Sequence, residues 1–220
     1  MSGLAIITFR NSVPGAQGLA ESIAHNPTIQ AMNQTVWAFS LVEISHLLFL
    51  VLLGGATLVL ALRVLGLGLT EASVLDVEGL TRPWLRVGVI GGSASGIFMS
   101  IATALTLVAN GAFFIKILAL VAAVLFSFAL AGRLRGSSRG LVQAVLGLVA
   151  LGWALWLFAS TRGLNTGSML VGAVSAVFLL LALIGRRGKA DADRLSQWLA
   201  IGTVVAWLTV TIAGRWIGFS

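Results

Sequence analysis

The chain has 220 residues, of which 58% are hydrophobic and 10% are charged, and its mean hydropathy is +1.03. A soluble domain carries roughly 25% charged residues, so this composition excludes an ordinary soluble core and predicts membrane-spanning helices of about 20 apolar residues each. The formal charge of +7 comes from basic residues placed between apolar runs, which indicates membrane topology rather than nucleic-acid binding.

Residues 1–34 form an amino-terminal segment ahead of the first long apolar run. The segment lacks the basic start and long apolar stretch of a signal peptide. Its Pro14-Gly15 and Asn26-Pro27 pairs are helix breakers with a short amphipathic stretch between them. We therefore predict an outer interfacial segment over 1–34, followed by a transmembrane domain over 35–220.

The apolar runs between charged residues predict an all-α fold, a polytopic membrane helix bundle with six transmembrane helices. The first run is long enough to tilt and the fifth is the shortest. The predicted spans are Thr35–Leu65, Leu85–Ala109, Ala112–Ala131, Leu141–Ser160, Ser168–Ile184 and Leu195–Phe219.

The basic residues fall mostly on one side of this predicted bundle, and cytoplasmic loops are the ones that collect Lys and Arg. This asymmetry predicts periplasmic termini and a multi-pass protein of a bacterial inner membrane. The inner side holds Arg63, Arg82, Arg86, Arg133, Arg135, Arg139, Arg186, Arg187, Lys189 and Arg194, whereas the outer side holds Arg10, Lys116, Arg162 and Arg215. Tryptophans then lie near the outer interface (Trp37, Trp153, Trp156, Trp216) and the inner one (Trp84, Trp198).

The second span carries a stripe of small residues, Gly88, Gly92, Gly96 and Ser100, on one helix face. Such a stripe permits close helix contact. Besides the lipid bilayer, we expect a protein partner or a second copy of the chain to use the Gly88/Gly92/Gly96 face. The alternative is ordinary packing inside the bundle, with Gly54-Gly55 as the facing residues.

Glu43 is the one acidic residue inside a predicted span, and it precedes His46 by three positions on one helix face. Counting 1.5 Å per residue from the cytoplasmic arginine of each helix places four side chains about 25–31 Å from that arginine: Glu43, His46, Lys116 and Arg215. Asn110 lies on the adjacent outer turn. If the first, third and sixth spans adjoin, these side chains form one outer polar layer.

Three interpretations of this layer stay open. In the structural one, Glu43 pairs with Lys116 or Arg215 and the cluster pins three helices together. In the prosthetic-group interpretation, His46 is a metal ligand to heme b, or Lys116 and Arg215 hold heme propionates or a quinone oxygen. Proton or solute passage is the third, and it is disfavoured because no second acid continues a relay across the bilayer. The residues predict no catalytic set, so whether the protein is an enzyme stays open.

The sequence resembles a bacterial membrane family known as domain of unknown function 6644. The residues that carry the resemblance include the polar positions of the outer layer. They are Trp37-Ala38-Phe39-Ser40-Leu41-Val42-Glu43-Ile44-Ser45-His46, the stretch from Gly54 to Gly66, Arg82-Pro83-Trp84, Asn110-Gly111-Ala112-Phe113 with Lys116, and Ala213-Gly214-Arg215-Trp216-Ile217.

The resemblance implies a membrane protein without an established activity. Many members of that family are shorter four-helix proteins, so spans four and five resemble an insertion. Many also carry a histidine near the end of the third span, where this chain has Phe126-Ser127-Phe128. The resemblance therefore argues against a transmembrane bis-histidine heme, and His25 would have to supply a second ligand from the outer segment.

The leading functional hypothesis is an inner-membrane subunit that holds a redox group, a quinone or another anionic ligand on Glu43, His46, Lys116, Arg215 and Asn110. The alternative is a structural or anchoring subunit of a membrane complex, in which the polar cluster is purely structural.

Overall fold

The computed structural model describes residues 8–137, 139–160 and 193–217. These residues are helical apart from short connections, and they contain no strand. The helices are α1 (Phe9–Ser12), α2 (Ala16–Ala24), α3 (Pro27–Asn33), α4 (Val36–Val64), α5 (Val74–Ala102), α6 (Ala104–Val108), α7 (Gly111–Leu134), α8 (Arg139–Ser160) and α9 (Arg194–Trp216).

Four of the described helices are long and apolar enough to cross a membrane: α4, α5, α7 and α9. The first, third and sixth predicted helices are confirmed nearly residue for residue by α4, α7 and α9. The fourth is confirmed as a helix, α8, with a shorter described apolar run over Val142–Ala154. The fifth, Ser168–Ile184, lies outside the described residues.

The second helix differs from its prediction at both ends. It begins at Val74 rather than Leu85, because Ser73 caps it by accepting a hydrogen bond from the Asp76 amide. It ends at Ala102, and the separate short helix α6 follows it. The predicted helix began at Leu85 because charged residues precede that position. A helix can nevertheless extend beyond the bilayer into water. Glu78 therefore lies on α5 and not in a loop.

Helices α4 and α5 pack with almost no space between their backbones. A Cβ at Gly88 would lie 2.6 Å from the Leu53 Cβ and 2.7 Å from the Leu53 nitrogen, and a Cβ at Gly91 would collide with the Phe49 ring. The glycine stripe thus contacts α4 of the same chain. The prediction that Gly54-Gly55 face it was wrong, because Leu53 and Phe49 do.

Gly54 instead faces α9, where a Cβ on it would lie 3.6 Å from the Trp207 ring. On the other side of α9, the fully buried Phe126 of α7 contacts Gly202 of α9 and Gly147 of α8. Helix α9 therefore packs against both α4 and α7. The spans that carry His46 and Lys116 are joined through it.

Contacts between helices define the two ends of the bundle. At one, called here the basic end, the start of α5 meets the end of α7 through Arg135 and Glu78, and the end of α7 meets the start of α9 through Arg133 and Asp193. Asp193 also caps α9. Hydrogen bonds from Arg133 and then Ser196 lower the pKa of the Asp193 carboxyl below its usual value, so it is ionised at neutral pH.

At the opposite end, called here the amino-terminal end, the short helices cover the bundle. The Phe9 ring lies 5.7 Å from Phe113 and 4.6 Å from Phe114, between ring centroids. The Asn33 amide donates to the Ala102 carbonyl over 3.0 Å. This contact layer ties residues 8–33 to α5 and α7, next to the predicted outer polar layer.

Candidate functional site

His46 points from α4 towards α5, and a hydrogen bond orients its ring. Its Nδ1 lies 2.9 Å from Ser95 Oγ, and a Cβ on Gly96 would lie only 3.1 Å from the His46 Cε1 atom. An alanine at that position of α5 would require the imidazole to move by a few tenths of an ångström. The small-residue stripe therefore leaves space for the His46 side chain and also allows the two helices to pack closely.

The hydroxyl of Ser95 determines which ring nitrogen of His46 carries a proton. Ser95 has one hydroxyl hydrogen and donates it to the Gly91 carbonyl over 2.6 Å. With that bond assigned, Ser95 Oγ accepts from His46, which assigns the ring proton to Nδ1. A second cation close to Lys116 inside a bilayer would be costly, so the neutral ring presents Nε2 as an acceptor that has no donor among the described residues.

Lys116 lies on α7 within electrostatic range of His46. Its aliphatic chain and ammonium lie beside Gly214 of α9, where an added Cβ would be 3.6 Å from Cε and 3.8 Å from Nζ. In the described part of the chain, no carboxylate pairs with this ammonium. An ionisable side chain inside a membrane helix is costly, which makes Lys116 a candidate functional residue.

Trp207 adds a third unmatched polar group. Its side chain is 6% exposed, and its indole N–H has no hydrogen-bond acceptor among the described residues. Trp207 and Gly214 are seven residues apart, so they lie on the same side of α9, about two turns from each other. We call His46, Ser95, Lys116 and Trp207 the His46–Lys116 site.

One of the predicted site residues, Glu43, faces away from this site. Glu43 is exposed on α4, and the expected ion pair with Lys116 or Arg215 does not occur among the described residues. The physical reason is angular: three residues along a helix leave side chains about 60° apart. His46 therefore faces α5 while Glu43 faces outward. Arg215 follows Gly214 on α9 and is exposed.

Asn110 is buried, and its contacts are structural. Its Oδ1 accepts from the Phe113 amide and so caps α7. Its side-chain amide donates to the Ile217 carbonyl over 3.5 Å, which joins the start of α7 to the end of α9. These bonds hold the helices of Lys116 and Trp207 together at the amino-terminal end.

Metal ligands are sparse in the part of the chain that the structure describes. It contains no group of three His, Cys, Asp or Glu side chains that could hold a metal ion. His25, the other histidine, is exposed and its Nδ1 donates to the Glu21 carbonyl of its own helix. A heme at His46 would therefore have one described axial ligand, the Nε2 atom.

The family described as "Family of unknown function (DUF6644)" matches residues 29–169. The chain belongs to this family. No curated protein and no solved structure matches the chain. The expected family is thus confirmed, and it brings no activity with it.

The DUF6644 match includes Glu43, His46, Asn110 and Lys116 and ends before α9 begins. Trp207 and Arg215 lie beyond the matched residues. The polar side chains on α4 and α7 are therefore within the family region, whereas the helix that joins α4 to α7 is outside it.

Two residues of this DUF6644 protein were missed by sequence reasoning. Trp207 had a usable signal, because it lies in the middle of a span whereas the other tryptophans fit an interfacial belt. Ser95 had none, because one hydroxyl among several on α5 becomes distinctive only when His46 is seen beside it. Ser95 belongs to the candidate site through its contact with His46, and Trp207 is included because its buried indole N–H lies on the side of α9 that carries Gly214.

Proposed function

We propose that the protein is a multi-pass subunit of a bacterial inner membrane that binds a quinone at the His46–Lys116 site. The observation that carries the proposal is the buried indole N–H of Trp207, which has no acceptor in the described part of the chain. A buried donor without a partner is rare in folded proteins and needs an explanation. A ligand oxygen at this position would accept from Trp207 and would lie on the same side of α9 as the Lys116 ammonium.

The polar groups of the site match the two redox forms of a quinone. The Lys116 ammonium and the Trp207 indole are donors, which suit the carbonyl oxygens of the oxidised ring. The His46 Nε2 atom is an acceptor, which suits a phenolic O–H of the reduced ring. Other anionic ligands would use the same two donors but would leave His46 Nε2 without a proton to accept.

A titration of the purified protein in detergent with decylubiquinone tests this proposal. Lys116→Met should weaken binding tenfold or more, because a hydrogen bond to a charged group contributes about 1.5–3 kcal/mol. Trp207→Phe should weaken it about fivefold, as expected for one neutral hydrogen bond. Glu43→Gln is the matched control, since Glu43 lies outside the site, and it should bind like the wild type. Equal affinity for all four proteins would contradict the proposal.

Heme b is the competing ligand, since His46 Nε2 is a suitable axial atom. A visible spectrum of protein prepared with a heme precursor separates the two ligands. A Soret band that is present in the wild type and absent from His46→Ala would identify the ligand as a heme bound by His46 and not as a quinone. If no Soret band is present, the titration with decylubiquinone determines whether the site binds a quinone.

A structural or anchoring subunit is the second candidate function, and one observation favours it. His46 already joins α4 to α5 through Ser95, so its role can be complete without a ligand. In that case Ser95→Ala should lower stability, and no variant of the site should change ligand binding.

The topology belongs to the same proposal: six spans, periplasmic termini and a site in the outer half of the bilayer. Ten of the 14 basic residues lie on the predicted inner side, as cytoplasmic loops require. A reporter that is active only in the periplasm should be active after Ser220 and silent when inserted between Arg133 and Arg139. The reverse pattern would place the His46–Lys116 site in the cytoplasmic half.

A further inference from the structure

At the basic end, two guanidinium groups from different helices meet on one buried carboxylate. The Glu78 side chain is 3% exposed, and its Oε2 accepts from Arg82 over 2.6 Å and from Arg135 over 2.5 Å. Arg82 is on α5 and Arg135 follows the end of α7. Because both donate to the same oxygen, the two guanidinium groups are held next to each other.

This cluster keeps donors that point away from Glu78. Each arginine uses its Nε and Nη2 atoms on the carboxylate, which leaves the Nη1 groups without an acceptor in the described residues. Both side chains are about one third exposed, at 31% and 37%. Arg86, one turn further along α5, is exposed as well. Three cations against one carboxylate leave a local excess of two positive charges.

The surface next to these arginines is apolar. Ile90 follows Arg86 by one turn and is 72% exposed, and Ile97 continues the same face at 61% exposed. Helix α5 has 29 residues, a length of about 43 Å that exceeds the roughly 30 Å hydrocarbon thickness. Its charged first turns therefore lie at the membrane surface, and its isoleucines lie in the acyl-chain region.

We propose that Arg82, Arg86 and Arg135 form a binding site for the phosphate headgroup of an anionic phospholipid, with one acyl chain lying along Ile90 and Ile97. Guanidinium groups bind phosphate oxygens in pairs, and basic pockets between membrane helices bind anionic headgroups. Glu78 orients two of the arginines before the lipid arrives. This inference does not depend on the quinone proposal.

Native mass spectrometry of the full-length protein in detergent, with added phosphatidylglycerol or phosphatidylcholine, tests the site. The wild type should retain phosphatidylglycerol in preference, and Arg86→Gln should reduce that preference about fivefold, since one arginine at a membrane surface contributes about 1 kcal/mol. Arg86 has no protein partner among the described residues, so this variant should fold. Arg194→Gln, an exposed arginine at the start of α9, is the matched control and should keep the wild-type preference.

Three results would overturn the proposal. The first is equal retention of the two lipids by the wild type. The second is an equal loss in Arg86→Gln and Arg194→Gln, which would indicate a diffuse charge effect. The third is displacement of the lipid by millimolar glycerol phosphate, which would identify a site for soluble phosphate compounds and not for a membrane lipid.

Discussion

Replacing Glu78 by glutamine is expected to lower the free energy of unfolding by about 3 kcal/mol. The change removes a buried carboxylate and leaves Arg82 and Arg135 with no counter-charge between them. Breaking a buried ion pair by removing one partner costs about 3–5 kcal/mol, and partial exposure of the arginines places this case at the lower limit. Reversible unfolding in mixed detergent micelles, followed by circular dichroism, measures the loss.

The matched control for Glu78→Gln is Glu71→Gln. Glu71 lies nearby in the α4–α5 connection, but it is exposed and forms no ion pair with the described residues. Its substitution should change stability by less than about 0.5 kcal/mol, as is usual at a surface position. If the two variants lose the same free energy, the Glu78 contacts do not stabilise the fold.

Gly88→Ala is expected to separate α4 from α5 at a cost of about 2–3 kcal/mol. The new methyl group would lie 2.6–2.8 Å from the Leu53 Cβ, nitrogen and Cα atoms. Two of these atoms are backbone, so no side-chain rotation relieves the overlap and the helices must move apart. The same unfolding measurement should report the loss, and Ser95 should hold the His46 ring less firmly.

Gly79→Ala on the same helix is the control for Gly88→Ala. A Cβ at Gly79 would meet nothing within 4 Å. Alanine has a higher helix propensity than glycine, by about 1 kcal/mol in an exposed helix, so Gly79→Ala should be neutral or stabilising. A destabilisation by both substitutions would show that the effect comes from glycine flexibility and not from the α4–α5 contact.

The apolar pattern predicted most helices because membrane spans depend on one property that each segment carries by itself. A run such as Gly111–Leu134 must be helical in lipid, where every backbone amide needs an internal partner. The same reasoning failed at the start of α5. There, the helix begins at Val74 and not at Leu85, and the stop signal inferred from its charges was wrong.

The candidate site was harder to predict because it depends on the angles between helices. Depth counting placed His46 and Lys116 in one layer, and the structure puts them within electrostatic range. Depth alone could not tell that Glu43 faces outward. It also could not show that Trp207 lies buried without an acceptor within residues 8–137, 139–160 and 193–217, since that is a property of the packed helices.

The imidazole nitrogens of His46 provide the most direct test of the proposed site. The chain has two histidines, so protein labelled with ¹⁵N-histidine in the His25→Ala background reports His46 alone by nuclear magnetic resonance. We expect a neutral ring with a protonated Nδ1 and an unprotonated Nε2, and an Nε2 signal that shifts when the reduced form of decylubiquinone is added. A protonated Nε2 whose signal does not shift when the ligand is added would contradict the proposed site.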